Sequence, residues 1–209
     1  MSRMKLARGC VVLAAIVALA ACRQATPIPS GAVLFEDDFT DSASGWNRGG
    51  GADYADGVYQ IEVVEPQTKV WANPGQKFTD VIVEVDATTL AGPQDNDFGV
   101  QCRVQDGENF YFLLISADGF QVIGKVLKGE PTFLSADVMQ PSDAIAQGNE
   151  TNQLRADCVG KELTLTVNGA LVAQAADDSF AGGDVGLTAG SYVEGGVQVL
   201  FDNFKVIQP

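Results

Sequence analysis

The segment FGVQCRVQDGENFYFLLISADG, residues 98–119, decides the fold class. In its first half apolar and polar side chains alternate. Phe98, Val100, Cys102 and Val104 share one face of an extended chain, and Gly99, Gln101, Arg103 and Gln105 share the other. Asp106-Gly107 then supplies a pair that tolerates positive φ, which closes a hairpin, and Asp118-Gly119 closes the next. The second strand differs from the first. Phe110, Phe112 and Leu114 interleave with Tyr111, Leu113 and Ile115, so both its faces are apolar, which places it centrally in a sheet.

The same grammar extends outward in both directions. Asp56-Gly57 and Asn168-Gly169 separate further apolar-patterned runs, and strands are expected at 58–64, 81–89, 98–105, 110–117, 121–127, 154–159, 163–168, 171–175, 185–189 and 197–207. Ten antiparallel strands without a long helix cannot bury their apolar faces in one sheet. The expected fold is all-β, an antiparallel sandwich of two packed sheets or a barrel. No repeat of 20 to 50 residues emerges, which counts against a solenoid or propeller. Residues 130–151, with Pro131, Pro141 and the polar stretch QGNETNQ, read as a long surface excursion, with a short helix at 142–146 as an option.

The N-terminus gives an address. Arg3, Lys5 and Arg8 precede the apolar run CVVLAAIVALAA at 10–21, which is built like an export signal and is too short to span a bilayer. Leu19-Ala20-Ala21-Cys22 resembles the lipobox of bacterial lipoproteins, which implies cleavage before Cys22 and attachment of palmitate-type lipid to it. Residues 23–32, RQATPIPSGA, read as a semi-extended tether. The expected organisation is a signal peptide at 1–21, a lipidated tether at 22–32 and one domain at 33–209. The protein is expected outside the cytoplasm, lipid-anchored to the outer face of the cell membrane or to the outer membrane.

Composition narrows the chemistry. Without Arg3, Lys5 and Arg8 the 13 basic residues fall to ten against 27 acidic ones, and the formal net charge moves from −14 to −17. Such a surface repels phosphate backbones, so nucleic acid is excluded as a partner. The complete absence of histidine removes Ser-His-Asp and Cys-His catalysis and His-ligated zinc. Cys10 leaves with the signal and Cys22 takes lipid, which leaves Cys102 and Cys158 as an oxidisable pair in an exported compartment. Both sit on apolar faces of their strands, Cys158 alongside Leu154 and Ala156, as a disulfide in the core requires. Closing a loop of this length stabilises a fold by about 4 kcal/mol in the chain-entropy account.

The chain also resembles a known superfamily. The opening LFEDDFTDSASGW (34–46), the hairpin at 98–119, LTLTVNG (163–169) and the closing VLFDNFKV (199–206) are similar to the concanavalin A-like, laminin-G-like jelly rolls of secreted bacterial proteins. That superfamily includes legume lectins, laminin G modules, family 16 glycoside hydrolases and 3-keto-disaccharide hydrolase-type domains. The resemblance implies a concave sheet on which carbohydrate could lie, with aromatic rings stacking on sugar faces. Trp71, in KVWANPG, and Gln101, Arg103 and Tyr111, read as pointing away from the Cys102 face, are the candidate carbohydrate-binding residues. Two readings stand for each aromatic or charged candidate. Trp71 is either a ligand platform or an edge residue packed under a loop; Tyr111 and Arg103 either meet ligand or simply pack on the sheet surface. Trp46, after Ser44-Gly45, is expected to close the core at one end of the sandwich.

Hydrolysis is tested against residues. Family 16 enzymes carry their two carboxyls as Glu-x-Asp-x-x-Glu or Glu-x-Asp-x-Glu on one strand. Here Glu84 and Asp86 begin that pattern, but Thr88 or Thr89 stands where the second Glu belongs, so no catalytic set is assigned. For calcium, Asp95-Asn96-Asp97 and the pair Asp38 and Asp202 offer oxygens but no full set of six to eight, so no metal and no cofactor is assigned. The expected function is a surface-anchored, non-catalytic module that binds a polysaccharide or glycoconjugate and meets the membrane only through its lipid. A carboxylate-dependent glycoside hydrolase and a structural or protein-interaction module of the cell envelope are the alternatives.

Overall fold

The computed structural model describes residues 28–209; the expected export signal, Cys22 and the tether as far as residue 27 lie outside them. Fifteen strands and no helix occur among the described residues. They are β1 (Val33–Asp37), β2 (Ala52–Ala55), β3 (Val58–Val63), β4 (Lys69–Ala72), β5 (Val81–Ala91), β6 (Asn96–Asp106), β7 (Asn109–Ile115), β8 (Phe120–Leu127), β9 (Glu130–Phe133), β10 (Gln140–Pro141), β11 (Thr151–Val159), β12 (Glu162–Val167), β13 (Ala170–Ala176), β14 (Asp184–Ser191) and β15 (Val197–Ile207). All ten expected strands form, with bounds within three residues of those read from the pattern. The five that pattern did not reveal, β1, β2, β4, β9 and β10, are two to five residues long, too short to display a period.

The four turn pairs each close the hairpin expected of them, joining β2 to β3, β6 to β7, β7 to β8 and β12 to β13. At Asp56-Gly57 and Asn168-Gly169 both residues have positive φ, 52° and 85°, then 50° and 83°, the geometry of a two-residue turn whose twist matches the flanking strands.

The strands form two antiparallel sheets packed face to face, a jelly-roll sandwich. The eight-stranded sheet runs β13-β12-β11-β5-β15-β3-β2, with β1 joining β15 beyond the end of β3. The seven-stranded sheet runs β10-β8-β7-β6-β14-β4, with β9 sharing the outer edge of β8. As the two apolar faces of its sequence require, β7 is central. The core lies between the sheets: Val81, Val83, Val85 and Ala87 of β5 meet Phe98, Val100, Leu113, Ile115 and Leu187 from the other layer, all nearly or wholly buried. Cys102 of β6 and Cys158 of β11 are bonded to each other across this interior, so the disulfide staples sheet to sheet.

Trp46 closes the core as expected. Its ring packs edge-on against Phe204 and Phe39 at 4.9 and 5.4 Å, and its indole N–H donates to buried Asp37 Oδ2 at 2.9 Å. Residues 130–151 depart from a free surface excursion. Glu130–Phe133 and Gln140–Pro141 both pair with β8, extending the sheet as a broken edge strand. Residues 142–146 form a turn, and no helix forms there. Asn152 holds it, accepting from the Ala146 N–H and donating to the Ala146 carbonyl at 2.9 and 2.8 Å.

Candidate functional site

The outer face of the seven-stranded sheet is hollowed into a groove of about 390 Å³. Register explains the hollow. One row across the sheet reads Trp71, Thr188, Gly99, Leu114, Val122, and the next reads Gly186, Gln101, Phe112, Gly124, Phe133. Glycines within both rows leave stretches of floor without side chains, while Trp71 on edge strand β4 and Phe133 on edge strand β9 rise at opposite walls. Gly124 has a specific task. A Cβ there would lie 2.3 Å from the Phe112 ring, so the missing side chain is what lets that ring lie across β8.

The floor divides into two chemistries. Over β7, β8 and β9 it is apolar: Phe112, Leu114 and Val122 form a second buried cluster, separate from the main core, with Phe110, Val126 and Met139 packed against it. Phe133 sits edge-on to Phe112 at 6.2 Å. Over β4, β6 and β14 the lining is polar, with Lys69, Asp97, Gln101 and Thr188 beside Trp71 and Tyr192.

Most of these polar groups are already engaged. Asp97, 1% exposed, accepts from the Tyr192 hydroxyl at 2.6 Å and from the Lys69 ammonium, which also lies 5.8 Å above the Tyr192 ring. Burial, and next the neighbouring Asp97 carboxylate, push the Tyr192 hydroxyl well above its ordinary range, so it stays protonated and donating. Thr188 donates to the Val70 carbonyl at 3.0 Å. Gln101 is the exception: it is 2% exposed, and its Oε1 is buried without a hydrogen-bond partner.

Of the four residues expected to meet carbohydrate, the fold brings two to this groove. Trp71 stands 44% exposed on its rim and Gln101 lies in its floor. Arg103 and Tyr111 do not reach it; both point into the sandwich. Tyr111 pairs directly with Cys102 and therefore shares the Cys102 face, the reverse of the expected orientation, because a strand apolar on both sides does not reveal which face turns inward. Its hydroxyl donates to Asp177 at 2.6 Å and its ring packs on Phe180 at 5.0 Å. Burial, and next the bond to Asp177, push that hydroxyl up to about 12. Arg103 is displaced by a bulge. Between Cys102 and Asp106 the register of β6 slips against β7, and Arg103 takes a φ of 52°, which turns its side chain inward. The guanidinium, 2% exposed, donates to the carbonyls of Phe180 and Cys158 at 2.9 and 3.2 Å and to Asp80 at 2.9 Å. It is a structural anchor beside the disulfide.

The carboxylates weighed for catalysis lie elsewhere. Glu84 and Asp86 share a face, as expected, but it is the outward face of the eight-stranded sheet, on the opposite side of the molecule from the groove. Glu84 accepts from Arg155 at 3.1 Å and Asp86 from Asn203 at 2.9 Å. Three of the calcium candidates make local bonds: Asp38 accepts from Thr40, Asp202 from the Asn203 N–H, and Asn96 Oδ1 from the Ala117 N–H. Among the described residues no group of three or more potential metal ligands assembles.

Sequence reading missed Phe110, Phe112, Phe133, Lys69 and Tyr192. The signal for the first two was present. The second apolar face of β7, taken only as a mark of central position, is the groove floor. Phe133 and Tyr192 carry no such mark, because they reach the groove from an edge strand and a loop.

Comparison of the sequence with protein-family models and with curated proteins finds no match. Solved structures do match in fold. The carbohydrate-binding module CBM66 of Bacillus subtilis superposes with a TM-score of 0.63 at 21% identity, covering 79% of this chain and 96% of that one. A Bacillus subtilis protein of unknown function with a galectin-like fold gives 0.63 at 14% identity, covering 86% and 97%. The Bacillus licheniformis β-glucanase gives 0.61 at 12% identity, covering 84% and 97%. The chain therefore has the concanavalin A-like jelly-roll fold that its sequence resembles.

Proposed function

We propose that the protein is a non-catalytic carbohydrate-binding lipoprotein of the cell envelope, anchored through Cys22 and presenting the groove of the seven-stranded sheet to a polysaccharide or glycoconjugate. The carrying observation is the pairing of an exposed aromatic ring with an unsatisfied polar floor. Trp71 offers a stacking face, and Gln101 holds a buried polar atom without a protein partner. A sugar ring meets both demands, having a C–H face for the indole and hydroxyls that donate and accept. Two of the structural neighbours, a carbohydrate-binding module and a β-glucanase, support the same class of ligand.

The non-catalytic part of the reading rests on the carboxylates. Asp97 is the sole carboxylate lining the groove among the described residues, and it is held by Lys69 and Tyr192. Most glycoside hydrolases use two carboxyl groups facing one scissile bond. Glycan-array binding with the full chain in detergent, followed by calorimetry on any hit, tests the proposal. Binding that weakens at least tenfold in Trp71→Ala is the expected result; silence across a broad panel, or release of reducing ends from a bound glycan, would overturn it.

A further inference from the structure

The groove is more divided than a site for a bare polysaccharide needs to be. Across β7, β8 and β9 its lining offers Phe110, Phe112, Leu114, Val126 and Phe133, with no polar side chain among them. A fully hydroxylated sugar laid there would bury hydroxyls against hydrocarbon with no partner, at a cost that stacking on the aromatic edges does not repay. Across β6 and β14 the opposite holds. Gln101 keeps an unpartnered oxygen, and a second buried acceptor, Asp97 Oδ1, is unpartnered as well. Whichever way the Gln101 amide is turned, a hydroxyl satisfies it, since a hydroxyl both donates and accepts. The lining also offers little to an anion, because its one cation, Lys69, is already paired with Asp97.

We infer that the groove is selective for a sugar joined to an apolar group, an aryl or alkyl glycoside in chemical class, with the sugar over Gln101 and Trp71 and the apolar group over Phe112 and Phe133. This rests on the carbohydrate reading above and narrows it. The walls agree with the division. Trp71, the stacking ring, rises on the polar side, whereas Pro131 and Phe133 of β9 close the apolar side. The floor is preformed for the apolar group, because Gly124 lets the Phe112 ring lie flat in the second buried cluster before any ligand arrives.

The test uses the full chain held in a nanodisc and matched methyl and phenyl glycosides of glucose, galactose, mannose and N-acetylglucosamine, with phenol alone as the third probe. Titration is followed by calorimetry and by Trp fluorescence. For the preferred sugar the phenyl glycoside is expected to bind at least tenfold tighter than both its methyl partner and phenol. Phe133→Ser narrows the phenyl-to-methyl gap to less than threefold, and Gln101→Met weakens both glycosides while leaving phenol unchanged. Equal affinity for methyl and phenyl glycosides overturns the inference and leaves the carbohydrate reading standing. Phenol binding as tightly as its glycosides, or no binding by any probe, overturns both.

Discussion

The two outward faces of the sandwich are built from strands of the same antiparallel kind, yet they resolve their polar groups in opposite ways. On the eight-stranded sheet, outward residues such as Glu84, Arg155 and Asp157 bond one another. Arg155 donates to Asp157 at 2.8 Å and to Glu84 at 3.1 Å in a part-exposed network of paired charges. On the seven-stranded sheet the outward residues form a second apolar cluster and leave Gln101 unsatisfied. A face that only meets water closes its own hydrogen bonds or lets water close them. A face that buries hydrocarbon around an unpartnered amide has a hydrogen bond left to make.

The contrast is open to attack at several points. The largest loss is expected from Phe112→Ala, which removes a nearly buried ring from the second cluster and should cost about 3 kcal/mol in chemical denaturation, far more than truncating any side chain on the other outward face. Gly124→Ala should follow at about 2 kcal/mol, since its Cβ meets both the Phe112 ring at 2.3 Å and the Thr132 carbonyl at 2.7 Å; lost ligand binding with an unchanged Trp71 environment would locate the damage in the floor.

Asp177 probes the interior that both faces share. It receives hydrogen bonds from Lys125 at 2.5 Å and from the Tyr111 hydroxyl at 2.6 Å. Burial pushes its carboxyl up, but the bonds from Lys125, Ser179 and Tyr111 outweigh it and hold the group well below the usual carboxylate range. A depressed folded pKa gives stability that is present above the unfolded value and lost as pH falls through the folded one. Asp177→Asn should therefore cost about 2 kcal/mol at neutral pH. Its deficit relative to the parent should be constant at neutral pH and shrink only in acid, below the ordinary carboxylate range; a deficit independent of pH would show that the charge is not what matters.

Gln101→Leu should move stability the other way, by up to about 1 kcal/mol, because it replaces an unpartnered buried amide with hydrocarbon. Sugar binding should fall at least tenfold in the same variant. A gain in stability with a loss of binding is the signature of a residue kept for its ligand. Smallest of all is Arg155→Ala, expected to cost less than about 1 kcal/mol with no effect on binding, since its ion pairs are part-exposed and lie on the far face. A large effect there would erase the distinction between the two faces.

Much of the fold was legible because strand patterning is a local property. Alternation in 98–104 and 154–158, four turn pairs and two cysteines on apolar faces were enough to foresee an antiparallel sandwich or barrel with a disulfide in its core; that the bond joins one sheet to the other came from the structure. The candidate site was half legible. Trp71 and Gln101 were found, while Arg103 and Tyr111 were assigned to the wrong side. A single bulge reverses every side chain beyond it, and neither that bulge nor the β6–β7 register leaves a mark in the sequence.

What the sequence determined by itself is therefore the sandwich, its turns and the class of residues available for chemistry, because each follows from the period of two and from turn residues read over a few positions. Tertiary structure alone decided which face of β7 meets the core, where the guanidinium of Arg103 goes, and that Trp71, Gln101, Phe112 and Phe133 line one hollow. Those four stand on four strands, brought into a common surface by pairings with β14 and β8, and no local pattern encodes that proximity.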